Sequence, residues 1–442
     1  MKPARTPADR ALRAAGGPNL VENPTLRGSG GAPRAWSVLS PRPALRPGSA
    51  VEERAGGSRA LVLSATGDER IFGSWTGRAR LRVGQWYVAS VLARHQDIDS
   101  PRLSILALVA GHLLLPVRER PHECLLAEVF QHRDAADGER VELYLRATRS
   151  GRVTFEEPRV LEVEEPAWRM ARVATVRFGK SPPDLSVPGQ RARIASKLAT
   201  AGALKPDLVL LPEFSPIVGV AEKAYRSYEH VAESVPGGPL CRILSAAARR
   251  HGMYVCAGIL EKRGRHIYNT ALIFDRRGEF VGQYDKTHLT IGELQGGISC
   301  GDGYPTFDLD FGRVAVHICY DEWFPEVARL YARKGAELLL LPVAGGKPIT
   351  WRTRALDNGM HFVSASINPP SMVIESSGVI LAETHDDGVA CADLNLERRE
   401  TNWYRDPTLS YGMPCAVPEM RNALNERLEE EEGRLRTSAM EE

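Results

Sequence analysis

At Glu165-Pro166 the texture of the chain changes, and that change constrains the fold more than any single residue does. Before it, short β-rich runs such as Arg59 to Ser64, Trp86 to Arg94 and Val141 to Ala147 are separated by Gly, Pro and Asp clusters. Strands of that spacing with turn residues between them predict an antiparallel sandwich over residues 18–165. After it, strands alternate with helices. Trp168 to Val176 reads as a strand, and Gln190 to Ala203 as a helix with Ile194, Leu198 and Ala201 on one face. Leu208 to Leu211 is the next strand, Leu240 to Arg250 a helix ended by His251-Gly252, and Tyr254 to Ile259 the strand after it. The pattern predicts an α/β domain over residues 166–403.

Within that second domain three chemically active residues follow apolar strands. Leu208-Val209-Leu210-Leu211-Pro212 ends on Glu213, and Val281-Gly282-Gln283-Tyr284-Asp285 leads into Lys286. Arg313 to Ile318 is a buried strand that ends on Cys319, and Phe324-Pro325-Glu326-Val327 opens a helix with proline in its first turn. Cys319 therefore sits in a strand-to-helix elbow, where free backbone N–H groups and positive potential are expected to lower a thiol pKa. A small buried hydrophobe is the competing reading of a free cysteine. The ends of buried strands are where α/β proteins assemble sites. A carboxylate there can take a thiol proton, an ammonium can stabilise an oxyanion, and a cysteine can carry an acyl group. His288 and His317 flank these residues and are read as structural, with a Cys-His dyad involving His317 as the alternative.

Several blocks resemble the nitrilase, or carbon–nitrogen hydrolase, superfamily between about residues 168 and 400. They are Val235-Pro236-Gly237-Gly238-Pro239, Tyr268-Asn269-Thr270-Ala271-Leu272-Ile273-Phe274-Asp275, Cys319-Tyr320-Asp321-Glu322-Trp323-Phe324-Pro325-Glu326, Gly335 to Pro342, and Trp351 to Asn358. The resemblance implies a four-layer αββα sandwich. It also implies Glu213 as general base, Lys286 as oxyanion stabiliser, Cys319 as nucleophile and the Tyr320 N–H as a second oxyanion donor. Glu293, the only Asp or Glu between Lys286 and Asp302, is the candidate for the second glutamate that many members use; a solvated loop acid is its alternative. Glu322-Trp323, with Phe214-Ser215-Pro216 and Ala344 to Lys347, falls in the loops expected to line the acyl pocket. Tyr320-Asp321 after the nucleophile favours an amide or N-carbamoyl substrate, cleaved through a thioester without metal or organic cofactor. Nitrile hydrolysis by the same triad and an inactive binding scaffold are the alternatives.

The first domain carries a second resemblance. Leu20 to Pro24, Pro33 to Trp36 and Phe155 to Val163 are similar to the opening and closing strands of galactose-binding-like jelly rolls. Carbohydrate is the partner such a module suggests, with Trp36, Trp75, Trp86 and Tyr87 either stacking on sugar or, as strand aromatics usually do, filling the core. Residues 1–17, rich in arginine, proline and glycine, are expected to be a disordered tail. Residues 404–442 form a C-terminal extension with helical spacing at Leu424, Leu428 and Leu435, and the resemblance implies a homo-oligomer supported by such extensions.

Composition narrows the partners. A net charge of +2 across 442 residues provides no global basic field, which disfavours nucleic acid and anionic membranes. The longest apolar run, Leu103 to Leu115, is too short to span a bilayer and reads as strands. Seven cysteines without a Cys-x-x-Cys pair argue against a zinc site and for a reducing compartment, and with no signal-peptide core the expected location is the cytoplasm.

Overall fold

The computed structural model describes residues 6–28, 33–54, 57–98, 101–133, 139–179, 181–182 and 184–397. The C-terminal extension, with the helix expected over residues 422–435, lies outside the described residues. The chain divides between Ala167 and Trp168, two residues past the boundary expected from sequence.

The first unit holds two antiparallel sheets. One orders Ser37–Leu39, Phe72–Arg78, Arg140–Arg146, Ile105–Val109 and His112–Leu113. The other orders Gly48–Glu53, Arg59–Ser64, Arg152–Val163, Trp86–Gln96, Glu123–Gln131 and Leu115–Arg120. Alternation places Trp75, Ala107 and Leu143 of the first sheet and Leu61, Leu63, Tyr87 and Phe155 of the second in one shared core. Three of the four aromatics weighed for sugar stacking are therefore interior: Trp36, Trp75 and Tyr87 are each at most 4% exposed. Trp75 donates its indole N–H to Val62 O at 2.9 Å, the bond a buried tryptophan needs.

The expected disordered tail is corrected from Thr6 onward, where Pro7–Ala14 is a helix. Thr6 Oγ1 caps Asp9 N at 3.2 Å, Pro7 occupies the first helical position, and Asp9 pairs with Arg13 one turn on. A helix this short is marginal alone, and burial of Ala8 and Ala11 supplies what propensity lacks.

The second unit stacks two sheets. The first orders Phe280–Asp285, His266–Phe274, Tyr254–Arg263, Leu208–Leu210, Met170–Arg177 and Gly388–Asn395, with Ile298–Ser299 pairing beside His266–Phe274. The second orders Thr306–Asp308, Arg313–Val316, Leu338–Val343, His361–Ser366, Ser371–Ile374 and Ile380–Thr384. Each has a parallel core of three strands, Met170–Arg177 with Leu208–Leu210 and Tyr254–Arg263, and Arg313–Val316 with Leu338–Val343 and His361–Ser366. Such strands are buried on both faces, which is why they read as continuous apolar runs.

Three cores show the layering. Val173, Leu208 and Leu210 meet Val314, Val316, Leu338 and Leu340 between the sheets. Val209, Leu211 and Val255 face Ile194 and Leu198 of the helix Val187–Ala203 and Leu244 of the helix Pro239–His251. Leu339, Leu341 and Phe362 face Val327 and Tyr331 of the helix Pro325–Arg333 and Trp351 of the helix Pro348–Asn358. The result is helix, sheet, sheet, helix. Truncating a fully buried leucine such as Leu340 to alanine is expected to cost about 2–5 kcal/mol. As the sequence suggests, Gly252 takes the left-handed cap of its helix, at φ +62°.

Candidate active site

Three strand ends and one short helix bring the predicted residues together. The ladder of Leu208–Leu210 runs one step further, from Leu211 N to Cys256 O at 2.9 Å, and Pro212, having no N–H, stops it. Phe214 then turns the chain at φ +50°, and Ser215 Oγ donates to Pro212 O at 2.6 Å. Glu213 is left facing inward at 1% exposure. The neighbouring strand permits this only with glycine: a Cβ on Gly258 would lie 2.6 Å from Glu213 Cα. Lys286 continues the next ladder, its N–H reaching Asn269 O at 2.9 Å, and its side chain is 1% exposed. Glu293 lies in the helix Ile291–Gln295, where it and Thr290 form a reciprocal capping box. It is 5% exposed, so the solvated-loop reading does not hold.

The four polar groups form one network. Lys286 Nζ donates to Glu213 Oε1 at 3.0 Å and to both oxygens of Glu293, at 2.9 and 2.8 Å. Asn269 Nδ2, fully buried, donates to Glu213 Oε1 and Glu293 Oε1, each at 2.7 Å. Glu213 Oε2 accepts the Ala344 N–H at 2.9 Å. The Cys319 thiol interacts with the Glu213 carboxylate and the Ala344 N–H. Cys319 sits at φ +44°, a left-handed conformation uncommon for a residue with a Cβ, at the start of the 3-10 turn Cys319–Trp323.

Charge explains the titration behaviour. Two carboxylates share one ammonium, so the cluster beside Cys319 carries a formal negative charge. Burial and then Glu213 push the thiol pKa up, against the pull of Lys286 and the Ala344 N–H. The lowered thiol pKa expected from the elbow is thus corrected: burial first, and the Glu213 carboxylate second, outweigh the positive potential at the turn. Burial alone would depress the Lys286 pKa, but Glu213, Cys319 and Glu293 outweigh it and hold it above the usual lysine range. Burial raises Glu293, yet the charge and hydrogen bond of Lys286 bring it below its ordinary value.

Around this network the remaining candidates divide. Tyr320 and Trp323 are surface residues, 39% and 45% exposed, with Tyr320 edge-on to Phe324 and the Lys347 ammonium 5.7 Å from the Trp323 ring centre. His317 is fully buried, edge-on to Phe362, with neither ring nitrogen hydrogen-bonded, and burial lowers its pKa to about 4. Nothing pairs it with the thiol. His288 Nδ1 meets Asp321 Oδ1 at 2.9 Å, and its ring stacks on Phe324.

Sequence reasoning assigned no role to three members of the site, although Asn269 and Asp321 fall in the family blocks and Ala344 in an expected pocket loop. Asn269 bridges both glutamates. The Ala344 N–H holds Glu213. Asp321, fully buried, fastens the lysine loop to the elbow by accepting Ile318 N at 2.8 Å, Tyr284 OH at 2.8 Å and His288 N at 3.0 Å. The available signal was a lone asparagine within the apolar strand His266–Phe274. Among the described residues no cluster of three or more His, Cys, Asp or Glu could hold a metal ion.

Paired sheets between helices, with a cysteine, a lysine and two glutamates gathered at the strand ends, define the class: a nitrilase-like α/β protein. The chain belongs to the carbon–nitrogen hydrolase family, whose model matches residues 172–402. A nitrilase of Pyrococcus abyssi is 35% identical over 249 residues, covering 52% of this chain and 93% of that protein. A citrullinase of Francisella tularensis is 31% identical over 201 residues, covering 44% and 70%. An omega-amidase of Saccharomyces cerevisiae is 30% identical over 259 residues, covering 51% and 87%. Among solved structures, a nitrilase-superfamily protein of Saccharomyces cerevisiae aligns with a TM-score of 0.48 at 26% identity, covering 57% of this chain and 96% of that one. No helix among the described residues is long and apolar enough to cross a membrane.

Proposed function

We propose that the chain hydrolyses the C–N bond of an amide or N-carbamoyl compound through an acyl-enzyme on Cys319. The observation that carries this reading is the shared lysine: Lys286 bonds Glu213 and Glu293 at once while the Cys319 thiol lies against Glu213. In the first step Sγ attacks the carbonyl carbon as its proton passes to Glu213. The oxyanion is taken by Lys286 and the Tyr320 N–H. Turning one of the two contacts on Glu293 toward that oxygen leaves Lys286 bonded to both carboxylates. Glu213 then gives its proton to the leaving nitrogen, the C–N bond breaks, and ammonia or an amine departs from a thioester. Water, deprotonated by Glu213, attacks the thioester and releases the acid and the thiol. Asn269 and Ala344 keep Glu213 in register throughout.

Amide chemistry is favoured over nitrile chemistry by Tyr320-Asp321 after the nucleophile, and two of the relatives above are named a citrullinase and an omega-amidase. The relative named a nitrilase keeps nitriles in the test.

The test is ammonia release from a panel of primary amides, N-carbamoyl amines and nitriles. Cys319→Ala and Glu213→Gln should lose turnover, and His317→Gln should keep it. An intact-mass adduct on the wild type, absent in Cys319→Ala, should accompany activity. Full turnover by Cys319→Ala would overturn the proposal; loss in His317→Gln with retention in Glu213→Gln would replace it with a Cys-His dyad.

A further inference from the structure

Glu322 takes no part in the steps above, yet it is a carboxyl group at 1% exposure, three residues from the nucleophile. Glu322 lies in the same 3-10 turn as Cys319, Cys319–Trp323. One of its oxygens accepts the indole N–H of Trp351 and the other the Lys347 backbone N–H at 3.4 Å. A Cβ on Gly346 would strike the same carboxylate. These three partners all lie in or just beyond the segment Ala344 to Lys347, which follows the strand Leu338–Val343. The near end of that segment is the Ala344 N–H on Glu213 Oε2, and Ala344 O accepts Asn368 N at 2.9 Å. Four residues thus connect an anchor on the reacting network to an anchor on Glu322.

We propose that Glu322 is a positioning residue: by holding the far end of the Ala344 to Lys347 segment it sets the Ala344 N–H against Glu213 and Cys319. The proposal rests on the reading of Glu213 and Cys319 given above. Its consequence is a dependence on the charge state of Glu322. The ionised carboxylate accepts from Trp351 and Lys347 together, whereas the protonated group presents an O–H toward one of two donors and releases it. Charged and titratable groups face it from every side. Arg354, on the helix Pro348–Asn358, donates to Glu322 O at 3.3 Å; Glu213 approaches from the other sheet; Cys319 and Asp321 share its turn; and the Lys347 ammonium lies over Trp323. Burial is the largest influence and raises the pKa to about 7, against Trp351, Lys347 and Arg354 and together with Glu213.

The probe is iodoacetamide, an electrophile that carries an amide, with the alkylation rate of Cys319 followed by peptide mass across pH 5.5–9. Wild type should show a rate step near pH 7. Glu322→Gln, which keeps the volume but not the second acceptor, should lose that step and react roughly 10- to 100-fold more slowly at pH 8. Glu322→Asp should restore part of the rate and keep a step. Trp351→Phe removes one donor to the ionised form, so its step should move to higher pH; this variant decides the matter if Glu322→Gln fails to fold. A step unchanged in both Glu322→Gln and Trp351→Phe, or absent from wild type, overturns the proposal. Failure of the underlying reading looks different: Glu213→Gln would then react as fast as wild type.

Discussion

Replacing Lys286 with methionine keeps the apolar stem and removes the cation that two buried glutamates share. The wild-type ammonium makes contacts of 3.0, 2.9 and 2.8 Å. Without it, Glu213 retains Asn269 and Ala344 as donors, and Glu293 retains Asn269 and Thr290. Removing one partner of a buried ion pair costs about 3–5 kcal/mol. Protonation sets a ceiling on that cost, because either glutamate can neutralise itself. At pH 7 this takes about 1.36 kcal/mol for each pH unit above the ordinary value of 4.5, or about 3 kcal/mol in all. At pH 5 the same step costs under about 1 kcal/mol. The variant should therefore be about 3 kcal/mol less stable than wild type at pH 7 and within about 1 kcal/mol at pH 5. The sign follows from the folded pKa. In the variant the glutamate pair binds a proton more tightly folded than unfolded, so its stability is greatest below 4.5 and declines as pH rises. In wild type, Lys286 holds Glu293 below its ordinary value, so that contribution is lost as pH falls below 4.5. Urea unfolding of both proteins at pH 5, 6, 7 and 8, read on the transition that the substitution shifts, measures the convergence. A deficit of equal size at pH 5 and pH 8, or none at pH 7, would refute the shared-cation account.

Other substitutions probe the supports of the site. Gly258→Ala places a methyl group 2.6 Å from Glu213 Cα, so turnover should fall at least tenfold while circular dichroism stays that of wild type; unchanged kinetics would show the strand giving way. Asn269→Leu removes two hydrogen bonds to carboxylates, at about 1.5 kcal/mol or more each, and should cost about 3 kcal/mol by chemical denaturation. A stability change below about 1 kcal/mol would mean that Lys286 alone satisfies the pair. His317 has a folded pKa near 4 against an ordinary 6.5, so its contribution is present above 6.5 and lost as pH falls toward 4, by about 3 kcal/mol. His317→Leu should flatten that acid loss in thermal melts between pH 4 and 7, and an unaltered slope would assign the loss to other groups.

How much was legible in the sequence depended on whether the signal was local. Strands ending on Glu213, Lys286 and Cys319 are visible because apolar runs followed by a charge or thiol are rare on a solvated surface. Glu293 was a candidate because the family resemblance implies a second glutamate and it is the only acid between Lys286 and Asp302; Thr290-x-x-Glu293 is also a capping signature and marks the short helix that carries it. The contacts of Asn269 and Ala344 with Glu213 were invisible for a different reason. Each residue acts by meeting Glu213 from 56 and 131 residues away in sequence, and no local pattern encodes such a contact. The thiol pKa departs from expectation at the same level, since the elbow suggested positive potential while burial and the Glu213 carboxylate, both supplied by distant segments, raise it. The helix Pro7–Ala14 was missed because its arginines dominate composition, whereas its formation depends on a cap and on two alanines finding a surface.

A raised thiol pKa beside a proposed base looks unfavourable for a nucleophile until the charge is followed. In the proposed first step Cys319 gives its proton to Glu213 and no proton leaves the cluster; negative charge would move from a carboxylate to sulfur with Lys286 interacting with both. The ammonium, 3.0 Å from Glu213, would interact with a unit charge there by about 5 kcal/mol at an effective dielectric of about 20. Had it served Glu213 alone, that attraction would hold the carboxylate ionised and make it a poor proton acceptor. Glu293 holds the same lysine by a bidentate contact, and its own charge opposes the field that Lys286 exerts on Glu213. On this account the second glutamate tunes the first. Glu293→Gln should then leave a more stable Lys286–Glu213 pair and a weaker base, with the acid limb of turnover displaced to lower pH.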